Sequence, residues 1–319
     1  MTAFTLVATL GFLSTDAEAQ KDKKLKPIVI SKSPQREWDS ARMTVAFFRH
    51  TDGSYVTEEI SKPLNPLTKL PIASLAKSMA AVIIFEAIEK GDLDPNQMIK
   101  IYPESKNLKD SYFSVVGLHK EWKEIPVHSA ITQLLQLSSN TMAMNLAIAV
   151  AGSPEKFVMM MNAKAKEWGM SDTHFVTEHG LPIGDRKLEF TTAKDLTILA
   201  GGMLRHLKAF KSYTNASLTY WNPPPTTPKF KNPDVDKLAL IEEGAVIKTG
   251  TINGCQSLLS ILPTEGAVIA DIQLCAPKYS RFKNALATLR DTFGKVLGVA
   301  IPNATAATQD LPQDRPSPQ

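Results

Sequence analysis

Three short groups of residues have side chains and spacings suited to acyl transfer on a serine. The first is Ser74-Leu75-Ala76-Lys77. At i and i+3 of a helix two side chains share a face, so this hydroxyl and amine come within hydrogen-bond reach. Serine is a weak nucleophile until a base takes its proton, and a lysine can be that base when burial or a second cation lowers its pKa. A serine at a helix N-terminus also lies beside backbone N–H groups able to stabilise an oxyanion. The second group, Ser138-Ser139-Asn140, brings another hydroxyl and an amide. The third is Lys248-Thr249-Gly250. Its lysine is the second cation, its threonine offers a hydroxyl to a carboxylate, and its glycine leaves room for a substrate against the backbone.

Each pattern alone is weak. Ser280-Arg281-Phe282-Lys283 repeats the first spacing and Ser105-Lys106-Asn107 the second. Ser105 reads as part of a polar loop, and Ser280 opens the final helix with no partner pattern after it. The information lies in the three groups together, in this order, on a helix start, an interhelix loop and a strand end.

The elements that must position them follow from periodicity. Two strand-like runs, 43–48 and 55–57, flank the turn Thr51-Asp52-Gly53-Ser54. A helix is predicted over 74–90, with Leu75, Met79, Val82, Phe85 and Ile88 on one stripe and Gly91 as its stop. Helical patterns continue over 129–136, 141–151, 154–168 and 192–205, the last opened by Thr192 with Asp195 as a capping box. Residues 222–236 carry five prolines and read as a rigid loop. Strands over 238–247, 256–262 and 267–275 follow, then a closing amphipathic helix over 279–297. The expected architecture is α+β: a mainly antiparallel sheet uniting both β blocks, flanked by helices, with a helical lobe at about 75–210 inserted between them. A cleft between the lobes then hosts the site.

Composition bounds the rest. The chain has 319 residues and a formal net charge of +4, mildly basic and too diffuse to argue for nucleic acid. Two cysteines exclude a disulfide-rich scaffold and a four-cysteine zinc site. Residues 3–13 form a short apolar run followed by Ala17-Glu18-Ala19, read as a signal peptide over 1–19 with export of a soluble chain to the periplasm or another extracytoplasmic space. A catalytic domain is expected over 20–298 and a disordered proline-rich tail, with no membrane-anchor stripe, over 299–319.

With the three groups in this order, the sequence resembles the serine D-alanyl-D-alanine carboxypeptidases, the low-molecular-mass penicillin-binding proteins, over about residues 40–297. Pro71-Ile-Ala-Ser-Leu-Ala-Lys77 is similar to that family's nucleophile segment. Residues 161–170, Thr173-His-Phe175, His179-Gly-Leu181 and Thr192-Ala-Lys-Asp-Leu196 fit its pattern as well. The resemblance implies a Ser74 acyl-enzyme with Lys77 as base, and Ser138 with Lys248 passing a proton to the leaving amine. It implies substrate contacts from Asn140, Thr249, Gly250, Thr251 and Arg281, with backbone N–H groups of Ser74 and Thr251 as the oxyanion hole. The implied partners are the peptidoglycan stem peptide and β-lactam antibiotics; no cofactor or metal is implied. The stretch Thr251-Ile-Asn-Gly-Cys255 is shorter than the family's usual one.

Alternatives stay open at this level. The same residues suit a D,D-carboxypeptidase, a cross-link-cutting D,D-endopeptidase, a β-lactamase or an idle wall-binding protein, although no E-x-x-L-N segment lies between Asn140 and Lys248. Arg281 reads equally as a carboxylate contact or a surface residue. His174 and His179 flank Glu178 without a zinc-like spacing and read as structural. A hairpin turning at 263–266 sets Cys255 opposite Cys275, close enough for a disulfide; a register slip by one instead leaves two buried thiols.

Overall fold

The computed structural model describes residues 38–108, 123–182, 189–215 and most of 245–288. The predicted signal peptide, proline-rich loop, C-terminal tail and most of the closing helix lie outside them. Strands β1 (Ala41–Arg49) and β2 (Tyr55–Glu59) pair antiparallel around the predicted turn, where Gly53 takes φ 85. Three late strands, β7 (Val246–Ile252), β8 (Cys255–Pro263) and β9 (Ala267–Ala276), complete a five-stranded antiparallel sheet in the order β2-β1-β9-β8-β7. The two β blocks thus unite as expected, with β9 buried along its whole length between them.

Between the blocks lie α1 (Ala76–Lys90), α2 (Val127–Gln136), α3 (Asn140–Ala151), α4 (Pro154–Glu167), α5 (Ala193–Met203) and α6 (Leu207–Asn215). The α5 helix packs on β1 and β9, whereas α1 touches α2, α3, α4 and α5. Consequently α1 is not the one-striped helix that its sequence suggested. It is buried on every face from Ala76 to Phe85 and ends, as expected, at a left-handed Gly91. Thr192 caps α5 by accepting from the Asp195 N–H at 3.0 Å. The Asp195 carboxylate does not reciprocate; it takes the Asp172 N–H and the Thr173 hydroxyl and ties the preceding loop to the helix.

Several elements depart from the expected boundaries. A 3-10 turn over Ala73–Leu75 precedes α1, so Ser74 lies before the α-helix. Two-residue strands β3 (Leu70–Pro71) and β6 (Phe190–Thr191) pair, as do β4 (Met98–Lys100) and β5 (Glu124–Pro126). These ladders are too short to carry a periodic signature, whereas helix α6 is amphipathic and extends the helical pattern beyond its expected end. The Lys248-Thr249-Gly250 group sits inside β7, not at its end, because pairing with β8 runs on to Ile252↔Cys255. Gly254, at φ 82, lies where that hairpin closes. Ser105, read from sequence as a loop residue, is fully buried in a 3-10 turn over Pro103–Asn107 and holds Asn145 of α3.

The β8–β9 register differs from expectation by one residue: Leu262 pairs Ile269, not Val268. Such a slip alone separates the cysteines onto opposite faces. A bulge intervenes beyond Leu258↔Gln273, where β9 carries one extra residue and Cys275 takes φ 48. The bulge turns Cys275 back toward Cys255, and the two are joined as a disulfide across 20 positions of sequence. Replacing both cysteines by alanine is expected to lower unfolding stability by about 3 kcal/mol. Chemical denaturation checks this, and an unchanged midpoint would mean that the bridge constrains nothing.

Candidate active site

The nucleophile segment is fixed from both sides. The β3–β6 ladder delivers the chain to Ile72, whose N–H donates to the Glu189 carbonyl at 3.2 Å. Ala73 then adopts φ 47, an unfavourable value for a residue with a Cβ. Packing enforces it, since a Cβ placed on Gly180 would lie 1.8 Å from the Ala73 carbonyl oxygen. Gly180 itself takes φ 83, so only glycine meets both demands. The result places Ser74, 6% exposed, one turn before Lys77.

Lys77 has no exposed surface. Its Nζ lies 2.9 Å from Ser74 Oγ and donates to Asn140 Oδ1 at 2.6 Å and to the His179 carbonyl at 2.8 Å. Asn140 Oδ1 and a backbone carbonyl can only accept, whereas a serine hydroxyl can donate or accept. A neutral amine has two N–H groups and one lone pair. Two fixed acceptors therefore take both N–H groups and aim the lone pair at the Ser74 hydroxyl, the geometry needed for a base.

The Ser138-Ser139-Asn140 junction between α2 and α3 divides its work among three consecutive residues. Ser139 caps α3, its Oγ accepting from Met142 N–H at 3.2 Å. Ser138 takes φ 56, which frees its side chain from the cap and points it at Lys248, 2.8 Å from Nζ. Asn140 opens α3 and reaches Lys77. Lys248, 4% exposed, also donates to the Thr249 carbonyl at 2.9 Å. One hydroxyl–amine pair thus stands on each side of the site.

Strand β7 is the edge of the sheet on the site side. A Cβ on Gly250 would lie 3.3 Å from both Ala73 Cβ and the Ile72 carbonyl, so glycine lets the strand approach the nucleophile segment closely. Arg281 is not a surface residue. It is 7% exposed and donates to Thr251 Oγ1 at 3.1 Å and to the Gly250 carbonyl at 3.3 Å. Ser74, Lys77, Ser138, Asn140, Lys248 and Gly250 are thereby brought together, with Arg281 against Gly250 and Thr251.

The sequence reading treated the 177–181 turn as structural and missed its part in the site. His179 contributes through a main-chain carbonyl, which leaves no side-chain signature; the one hint was Gly180. The His179 ring is pushed down to about 3 by burial, then by the Lys77 charge. Its Nδ1 accepts from Leu181 N–H at 3.0 Å, which places the ring proton on Nε2. Burial raises Glu178 above the ordinary carboxylate range, against the Lys77 charge. Glu189, 3% exposed, is pushed up to about 7, chiefly by burial. Its Oε1 accepts from the N–H and hydroxyl of Thr177, and its Oε2 has no partner among the described residues. No group of three or more His, Cys, Asp or Glu side chains suited to a metal occurs among the described residues.

Comparison with known proteins agrees with this geometry. The family model described as D-alanyl-D-alanine carboxypeptidase matches residues 53–268. The D-alanyl-D-alanine carboxypeptidase DacA of Haemophilus influenzae is 26% identical over 52% of this chain and 42% of its own. The D-alanyl-D-alanine endopeptidase of Escherichia coli is 32% identical over 51% of this chain and 49% of its own. The chain thus spans less than half the length of these two curated relatives. Ampicillin-bound penicillin-binding protein D2 of Listeria monocytogenes shares the fold, with a TM-score of 0.62 at 23% identity over 79% of this chain and 97% of that one.

The shifted groups fix the sign of a pH effect on stability. Glu189 binds its proton more tightly when folded, so its contribution is complete below pH 4.5 and is lost as pH rises through about 7. His179 acts oppositely, its contribution complete above pH 6.5 and lost as pH falls toward 3. Glu189→Gln removes the first effect only. The stability of this variant relative to the parent is expected to rise between pH 5 and 8, by on the order of 3 kcal/mol. Thermal unfolding of both proteins across that range checks it; parallel curves would contradict the assignment.

Proposed function

The chain belongs to the D-alanyl-D-alanine carboxypeptidase family, and from that premise we propose that it is a serine D,D-peptidase of peptidoglycan. In this reading it removes the terminal D-Ala from stem peptides and is inhibited by β-lactams. The observation that carries the proposal is Lys77 Nζ at 2.9 Å from Ser74 Oγ, with its other two bonds on fixed acceptors.

Ser74 Oγ attacks the carbonyl carbon of the penultimate D-Ala as its proton passes to Lys77. The oxyanion is held by the backbone N–H groups of Ser74 and Thr251. As the C–N bond breaks, the Ser138–Lys248 pair delivers a proton to the leaving D-Ala amine. Asn140 binds the peptide backbone of the donor strand. Thr249 and Arg281 hold the terminal carboxylate, with Gly250 giving it room beside β7. The proton held by Lys77 then passes to the Ser138–Lys248 pair, which resets both groups. Water attacks the Ser74 ester and gives its proton to Lys77, which returns it to Ser74 Oγ as the ester C–O bond breaks and the shortened peptide leaves. A β-lactam enters the same path, but its opened ring stays attached and no leaving group departs, so the ester persists.

Removal of residues 1–19 and export are part of the same proposal. The Cys255–Cys275 bridge supports them, because disulfides persist in oxidising compartments. A second reading, a D,D-endopeptidase cutting cross-links, is favoured by the 32% identity to an enzyme of that name. Both share the Ser74 chemistry and differ in which amine leaves.

Intact-protein mass of the protein recovered from its producing cells, after brief exposure to benzylpenicillin, tests this proposal. A chain starting at Gln20 carrying one drug mass is expected, with no adduct on Ser74→Ala. Drug consumed without an adduct would mean a β-lactamase. Drug left intact would mean a wall-binding protein without catalysis. Release of D-alanine from a pentapeptide, against cleavage of a cross-linked dimer, then separates the two peptidase readings.

A further inference from the structure

One of the fixed acceptors that orient Lys77 is a main-chain carbonyl, and a carbonyl has to be held in place by something else. The turn that carries it, residues 177–181, is tied internally by Gly180 N–H donating to Thr177 Oγ1 at 2.9 Å and by the His179 ring accepting from Leu181 N–H. Upstream, Asn162 of α4 pins Phe175 through both of its main-chain groups, at 2.8 and 2.9 Å. Within the turn itself, Glu189 grips it from outside, its Oε1 taking both the N–H and the hydroxyl of Thr177.

Glu189 is also fixed at its other end. Its carbonyl accepts from Ile72 N–H at 3.2 Å, two residues before Ser74, and the neighbouring Phe190 pairs with Pro71. One residue therefore spans from the strand that delivers the nucleophile to the turn that orients its base. The two ends meet again where Gly180 packs on the Ala73 carbonyl, so a shift of the turn must move Ala73 or open a gap beside it. A carboxyl buried this deeply is costly, and an apolar side chain would fill the space at less expense. What an apolar residue lacks is an acceptor that can take two donors from Thr177 at once.

We propose that Glu189 is a positioning residue: it clamps the 177–181 turn so that the His179 carbonyl holds the Lys77 amine toward Ser74. The inference rests on the proposed activity for its kinetic consequence, while the clamp is a property of the fold.

The test compares Glu189→Ala and Glu189→Gln with the parent protein, following Ser74 acylation by a chromogenic β-lactam at saturating and limiting drug. Alanine removes the acceptor, whereas glutamine retains one oxygen in the place of Oε1. The maximal acylation rate of Glu189→Ala is expected to fall by about 10²-fold with little change in half-saturation, the scale of effect of a misplacement near 1 Å. Glu189→Gln is expected to stay within about threefold of the parent. Parent-like acylation of the alanine variant overturns the proposal, as does a glutamine variant as slow as alanine. If Glu189→Ala does not fold, Glu189→Leu, which fills the same space without an acceptor, must show the same loss of rate, and a parent-like rate overturns the proposal. If the parent itself takes no adduct, the proposed activity has failed, and amide hydrogen exchange at Thr177 and Gly180 decides the clamp alone. Faster exchange in Glu189→Ala, restored in Glu189→Gln, upholds the clamp, and unchanged exchange overturns it.

Discussion

An amine with no access to water must have every one of its bonds supplied by the protein, and Lys77 imposes that demand on most of this molecule. An isolated buried ammonium is expensive, so such groups survive only where partners are fixed in advance. Here the partners come from three separate stretches: the 3-10 turn before α1, the first residue of α3, and the 177–181 turn. Each stretch carries an unusual backbone feature at the point of contact. Ala73 and Ser138 take left-handed conformations, and Gly180 has no Cβ because a carbonyl occupies that space. Strain of this kind persists only when packing over-determines it. The buried faces of α1, packed by α2, α3, α4 and α5, provide the rigid mount.

The second half of the site depends on the opposite kind of element, an edge strand. Because β7 has a strand neighbour on one side only, its other side can approach the nucleophile segment. Gly250 permits the approach, Lys248 projects from it to Ser138, and Arg281 secures its end through the Gly250 carbonyl and Thr251. Pairing with β8 as far as Ile252↔Cys255 carries this strand past the site, and the disulfide fixes the start of β8 to β9. Reaching a substrate from a sheet edge lets the strand and a docked peptide share backbone hydrogen bonds, which suits an extended peptide substrate.

What could be read in the sequence was the chemistry carried by side chains at short, fixed spacing. Ser74 and Lys77 announce themselves because i and i+3 on a helical turn face one way. Lys248-Thr249-Gly250 does so because a glycine beside two polar residues in an apolar run needs a reason. The antiparallel sheet was legible from apolar runs and the turn residues between them. Features resting on main-chain geometry were not: the His179 carbonyl has no residue-type signature, and the β9 bulge at Cys275 follows from packing rather than composition. The α1 stripe misled because a helix buried on all sides still shows large apolar residues at helical spacing, with alanines between them. Glu189 was invisible for a related reason. A single glutamate between Leu188 and Phe190 reads as the outward-facing residue of a short strand until its burial is seen.

The central claim is that Lys77, in its neutral form, takes the Ser74 proton. It is tested most directly by the rate constant for acylation of Ser74 by a chromogenic β-lactam, measured from pH 5 to 10 under single-turnover conditions. The account predicts a rate that climbs with pH as the amine loses its proton and then levels off. A rate constant that is flat across the whole range would contradict it and would require a different base.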